Sequence, residues 1–283
     1  MQTLSVGRLR EKAQALRKDI IEMTAAAGSG HPGGSLSSTE LLTALYFHVL
    51  KHRPDDPDWD GRDRFVLSKG HIAPGLYAAL AEAGYFPKKE ILTLRKMGSR
   101  LQGHPHMLKL PGLETSSGSL GQGLSIAIGM ALGFRLDGKT NRTYCLMGDG
   151  ETNEGQIWEA AMTAGHYQLD TLCGMVDVNG LQIDGFTKDV KNLEPFRLKW
   201  ASFGWHTIEI DGHDMQAVLD AFEEAASTKG KPSVILANTI KGKGVSFMEN
   251  QAGWHGKATQ GNETEKALKD IEACYGFGGE QHD

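Results

Sequence analysis

The chain has 283 residues, 40% of them apolar and 23% charged, the proportions of an ordinary globular protein with room for one large α/β domain. A formal charge of −5 offers no basic field for nucleic acid, and no stretch approaches the roughly 18–20 apolar residues of a membrane span. Cys145, Cys173 and Cys274 form no CxxC pair, which argues against a disulfide framework or a zinc site and for a reducing, cytoplasmic setting.

The opening places Leu9, Ala13, Leu16, Ile20, Met23 and Ala27 at helical spacing and stops at Gly28. A second helix is predicted from Thr39 through "TELLTALYFHVL", then a strand over 64–68 and a helix over 75–84. Region 86–120, rich in Gly, Pro, His and Ser, reads as loop, and "QGLSIAIGMALGFRLDG" as an apolar helix. The second half alternates: strand 142–148, helix 154–169, strand 171–178, strand 205–211, helix 214–228 with Asp214 as N-cap, and strand 233–239. One more amphipathic helix and a polar, natural-looking tail close the chain. Strands alternating with helices imply a doubly wound, mostly parallel sheet in a single domain over 1–283, with ligands at the carboxyl ends of its strands.

The 36 glycines are nearly double the usual share of about 7%, and many stand where a predicted strand ends. "GDGETNEG" (148–155) puts Asp149 directly after one strand, and "DVNG" puts Asn179 directly after another, thirty positions on. A carboxylate, an amide oxygen and a free carbonyl are the hard oxygen donors that Mg²⁺ takes, usually completed by phosphate oxygens and water. Gly148 and Gly150 allow close approach of a diphosphate, and the helix from about Glu154 points its N-terminus the same way. The plainer alternative is that Asp149 caps a helix and Asn-Gly is a turn. Four of the 11 histidines sit in Gly/Pro-bearing loops: His31 in "SGHPGG", His71 in "SKGHI", His104 in "QGHPH" and His255 in "GWHGK". Such rings suit sugar and diphosphate oxygens. His48, His52, His166, His206 and His213 read as structural or exposed, and Trp158 and Met162 as packing residues. Lys69 and Lys241 either contact anionic ligand groups or are solvated loop lysines, and pattern alone favours the second. Asp184 serves a turn or the loop beside the site.

"GDGETNEG…DVNGLQIDG" resembles the thiamine-diphosphate signature, and the chain from end to end resembles the N-terminal half of a transketolase. The supporting stretches are "GSGHPGGSLSSTELL", "DRFVLSKGHIAPGLYAAL", "QGHPHM", "SSGSLGQGLSIAIGMAL" and "WHGKAT", in that family's order. The resemblance implies Asp149, Asn179 and the carbonyl of Leu181 as Mg²⁺ ligands, with Gly150, His71 and His255 at the diphosphate. It implies His31 and His104 at the substrate and the reactive carbon as catalytic residues. Gly118 and Leu120 would line the cofactor, and Glu154 would meet a neighbouring subunit. The family's usual chain is more than twice as long. Its second half supplies the glutamate that acts on the aminopyrimidine, an aromatic stacked on that ring, and the basic cluster for the sugar phosphate. The resemblance therefore implies a split transketolase: this chain plus a separate C-terminal-type subunit, most simply an α₂β₂ heterotetramer. It would transfer a two-carbon ketol unit from a ketose phosphate to an aldose. Another thiamine-diphosphate enzyme (a deoxy-sugar synthase or a 2-oxoacid dehydrogenase component) and a non-catalytic cofactor-binding module are the alternatives.

Overall fold

A computed structural model describes residues 4–183 and 185–275. Asp184 and the polar tail (276–283) lie outside the described residues.

Helix α1 (Val6–Ala27) starts at Ser5, whose hydroxyl accepts from Arg8 N, and ends at Gly28, where φ is 63°. That left-handed stop is one glycine tolerates without a Cβ clash. Leu9, Ala13, Leu16, Ile20 and Met23 are buried, as their spacing predicts. Next come α2 (Pro32–Ser37) and α3 (Thr39–Ala44), followed by a π turn at Leu45–Val49. Helix α2 carries little sequence signal because two of its six residues are glycines. A Cβ on Gly33 would lie 2.9 Å from the carbonyl oxygen of Trp254, so close packing requires that glycine. Strand β1 (Arg64–Leu67) leads to α4 (Ala73–Ala83), and 86–120 is loop apart from a 3-10 segment at Lys88–Thr93.

The alternation then runs α5 (Gln122–Leu136), β2 (Thr143–Gly148), α6 (Gly155–His166) and β3 (Leu172–Val178). A small hairpin follows, β4 (Leu181–Gln182) and β5 (Gly185–Phe186), with α7 (Thr187–Val190) and α8 (Phe196–Ser202). The chain continues with β6 (His206–Asp211), α9 (Met215–Ser227), β7 (Ser233–Asn238) and α10 (Asn262–Tyr275). Asp214 caps α9 by accepting from Gln216 N at 2.9 Å.

The main sheet has the order β1-β2-β3-β7-β6 with every pair parallel. Alternate residues feed two cores, as burial on both faces requires. Tyr144 and Leu146 join the core under α1, α3, α4 and α9, while Cys145 and Met147 join the one under α5, α6 and α8. The register pairs Gly148 with Asp177, so the loops opening at Asp149 and Asn179 leave neighbouring strands at the same end of the sheet.

Candidate functional site

Loops from the carboxyl ends of β1, β2, β3 and β7 converge on a cleft of about 430 Å³. Its lining holds His31, His71, Gly118, Leu120, Asp149, Gly150, Glu154, Asn179, Leu181 and His255, ten of the eleven residues singled out in the sequence. His104 stands beside it, its ring 6.5 Å from that of His31. A larger, more open groove of about 730 Å³ lies at the amino ends of β1 and β2, lined by Asp63, Arg142 and Tyr144, and holds none of these residues.

Asp149 is buried, and its two carboxyl oxygens accept backbone N–H groups, Gly150 at 2.7 Å and Gly180 at 2.7 Å. It also caps the 3-10 turn Gly150–Asn153, so the plainer reading of this residue is true as well. Burial and then the neighbouring Asp177 carboxylate push its pKa up to about 6. A buried carboxylate in that position is short of positive charge. The Asn179 amide oxygen accepts Leu181 N at 3.1 Å, and the Leu181 carbonyl accepts from the Lys241 ammonium at 3.4 Å. Among the described residues no group of three or more His, Cys, Asp and Glu side chains could hold a metal. The donor set at this end of the sheet is one carboxylate, one amide and one carbonyl.

The imidazoles of His31, His71 and His255 form a triangle with ring centroids 5.2–5.3 Å apart. Burial lowers His31 to about 4, with Arg95 and His104 adding to it. Burial and then Lys241 lower His255 to about 4, and His71 and His104 are lowered in the same direction. The cluster is therefore neutral near pH 7. Lys241 Nζ lies 2.7 Å from Nδ1 of His255, so that nitrogen accepts and the proton of the neutral ring sits on Nε2. Buried atoms with no hydrogen-bond partner among the described residues include His31 Nδ1, Asn153 Nδ2 and Gln182 Nε2, all on residues lining the cleft. Unpaired buried polar groups of this kind suit a polar, oxygen-rich occupant. A Cβ on Gly150 would lie 2.9 Å from Gln182 Cβ, and one on Gly118 would lie 3.1 Å from His104 Cδ2, so both loops are closely set.

Two readings of the sequence are corrected. Lys69 and Lys241 are not solvated: they are 2% and 3% exposed and line the cleft. Lys69 pairs with Asp177 at 2.5 Å, and burial brings Lys241 down to about 8, with Asp177 opposing. Met162 does not pack. It is 55% exposed, because the buried face of α6 is Ile157, Ala160, Ala161 and Ala164. Trp158 does pack, 5.2 Å from Trp200. Glu151 and Asp177 escaped notice. The Glu151 carboxylate accepts Gly121 N at 2.8 Å, Gly148 N at 3.0 Å and the Ser68 hydroxyl, tying the Gly118–Leu120 loop to two strand ends. Position alone was the available signal: Lys69, Asp177 and Lys241 stand at or just past a strand's carboxyl end, as Asp149 does.

Together these features define a parallel α/β protein with a polar, ligand-sized cleft at its strand ends. The pattern of the family described as "Transketolase, thiamine diphosphate binding domain" matches residues 9–281, and the chain belongs to that family. It is 50% identical over 247 residues to the 6-deoxy-6-sulfo-D-fructose transketolase subunit SqwG of a Clostridium species, covering 87% of this chain and 90% of that one. It is 44% identical over 269 residues to an apulose-4-phosphate transketolase subunit of Actinobacillus succinogenes, covering 95% and 97%. The crystal structure of transketolase from Campylobacter jejuni superposes with a TM-score of 0.89 at 32% identity, covering 97% of this chain and 43% of that one. The chain thus spans about two fifths of a full-length transketolase and nearly all of relatives named as subunits. It is a transketolase-type enzyme component corresponding to the thiamine-diphosphate-binding portion.

Proposed function

We propose that the chain is the diphosphate- and Mg²⁺-holding subunit of a two-chain transketolase that moves a two-carbon ketol group from a ketose phosphate to an aldose. The carrying observation is that Asp149, Asn179 and Leu181, on adjacent strand ends, share one cleft with the triangle of His31, His71 and His255. The residues fit the cofactor. Asp149 is a buried carboxylate short of positive charge, and the cleft wall carries unpaired polar atoms and the Lys241 ammonium. Asp149, the Asn179 amide oxygen and the Leu181 carbonyl hold Mg²⁺, while Gly150, His71, His255 and Lys241 hold the diphosphate. Gly118 and Leu120 line the thiamine. When bound, thiamine diphosphate supplies the carbon nucleophile of ketol transfer.

His31 and His104 face the substrate. Rings held neutral by burial can accept a hydroxyl proton at one nitrogen and donate at the other without a stable charge building in the cleft. His255, protonated on Nε2, serves as a donor. Exposed Glu154 on the cleft rim meets the second subunit. The names of the two subunit relatives, one for a sulfonated fructose and one for a sugar phosphate, favour a sugar bearing an anionic group. Their subunit status supports a separate C-terminal-type partner, most simply in an α₂β₂ assembly in the cytoplasm, with 1–283 acting as one domain. No helix among the described residues is long and apolar enough to cross a membrane.

The test is affinity purification of the tagged chain from its own cells, then a ketol-transfer assay with thiamine diphosphate and Mg²⁺. A second chain that co-purifies and confers activity is expected. Ketol transfer by the pure chain alone contradicts the two-chain reading.

A further inference from the structure

Beneath the cleft floor lies a buried network whose acid, Asp177, none of these roles uses. Asp177 is fully buried at the end of β3. Its Oδ2 accepts from Lys69 Nζ at 2.5 Å, Ser37 Oγ at 2.6 Å and Asn179 Nδ2 at 2.8 Å, and its Oδ1 accepts from Thr239. Lys69 Nζ also donates to Ser38 Oγ at 2.8 Å. The donors arrive from the end of α2, the exit of β1, the exit of β7 and the Asn179 loop.

An ionised carboxylate is an acceptor only, so the amide atom of Asn179 facing Asp177 must be the NH₂. The amide oxygen is then turned the other way, where it accepts Leu181 N and lies on a residue that lines the cleft. We propose that Asp177, anchored by Lys69, is a positioning residue that locks the Asn179 amide with its oxygen toward the cation. This rests on the reading of Asp149, Asn179 and Leu181 as the Mg²⁺ ligands. The orientation matters because an amide rotated by half a turn presents two N–H donors, which repel a cation. An apolar side chain at 177 offers no acceptor and would leave both orientations open. A buried carboxylate excludes the wrong one, and Lys69, itself 2% exposed, supplies the counter-charge that keeps it ionised away from water. Groups that orient a metal ligand typically change metal affinity about 10–100-fold when lost.

The test measures Mg²⁺ affinity calorimetrically at saturating thiamine diphosphate, in the complex of the full chain with its co-purifying partner. Mn²⁺ paramagnetic resonance serves as a second probe of the same site. Asp177→Leu removes the acceptor at similar volume and is expected to weaken Mg²⁺ about tenfold or more. In Asp177→Asn the amide oxygen takes the place of Oδ2, because the Lys69 ammonium and the Ser37 hydroxyl donate there, so it still accepts from Asn179 and affinity is expected to stay within about threefold of the parent. A loss that follows the acceptor oxygen and not the ion pair's charge is a result that a merely structural role does not produce. Thr239→Val keeps both the ion pair and the side-chain volume. It is expected to weaken Mg²⁺ about threefold, and it stands as the test should Asp177→Leu fail to fold. Unchanged affinity in Asp177→Leu or Thr239→Val, or equal losses in Asp177→Leu and Asp177→Asn, overturns the positioning role while leaving the metal site in place. A parent complex that binds thiamine diphosphate without needing Mg²⁺ overturns the metal reading, and this inference with it.

Discussion

Lys241 and His255 meet across the cleft wall, Nζ to Nδ1 at 2.7 Å, and this contact assigns both a charge and a tautomer. The ammonium of a residue 3% exposed points into a cleft whose histidines are neutral near pH 7. Lys241→Met removes that charge at nearly constant volume. It is expected to weaken thiamine diphosphate binding about tenfold or more, since hydrogen bonds to charged groups are worth about 1.5–3 kcal/mol. Tryptophan-fluorescence titration with the cofactor measures it, and unchanged affinity contradicts a diphosphate role for this lysine.

Asp149→Ala separates folding from ligand binding. Removing the carboxylate strips the acceptor from Gly150 N and Gly180 N and lowers the unliganded midpoint, so the ligand-dependent shift is read against each protein's own unliganded melt. A ligand at a hundred times its dissociation constant stabilises by about 2.7 kcal/mol, about 5–10 °C of midpoint for a chain of this size. Thermal melts are expected to show that Mg²⁺- and cofactor-dependent shift in the parent and none in the variant. A shift of equal size in both contradicts Asp149 as a ligand.

Glu151 is a structural clip with a consequence at the site. Glu151→Ala strips the acceptor from Gly121 N, Gly148 N and the Ser68 hydroxyl, and is expected to cost about 3 kcal/mol. Denaturant unfolding measures the loss. Limited proteolysis is expected to cut first near Gly118–Leu120, the segment this residue ties down. Equal protection of that segment in parent and variant contradicts the clip.

The histidine cluster makes stability depend on pH in a stated sense. His31 and His255 titrate near 4 in the folded chain against 6.5 otherwise, chiefly because of burial. Between those values the unfolded chain binds protons that the folded chain refuses, so their contribution is full above 6.5 and is lost as pH falls towards 4. Asp149 and Asp19, held up near 6, act in the opposite direction over the same range. Comparison with a variant therefore isolates the rings. The parent's thermal midpoint is expected to fall from pH 7 to pH 5 by about 5 °C more than that of His31→Gln/His255→Gln. Equal slopes contradict the assignment.

The frame of the fold was legible because long periodic segments carry it. The α1 stripe ending at Gly28, the largely apolar β2 and β3, and the Asp214 cap each declare themselves from the local sequence. Helix α2 was not legible, since its Pro-Gly-Gly start answers to the backbone of Trp254 rather than to local propensity. Nor were the β4–β5 hairpin and α7, which are two to four residues long and set by what they lie against. At the site, residues in glycine-marked loops stood out, and the structure brings them to one cleft. Lys69 and Lys241 did not, because nothing local tells a buried lysine from a solvated one. Their burial depends on Asp177 and His255, 108 and 14 positions away.

The measurement that bears most directly on the central claim is a titration of ketol-transfer rate against the ratio of the second subunit to this chain, with Mg²⁺ and thiamine diphosphate saturating. The expected curve starts at zero, rises linearly and breaks at a ratio of one, as sites completed by one chain of each kind require. Measurable turnover at a ratio of zero, or none at any ratio, contradicts the account.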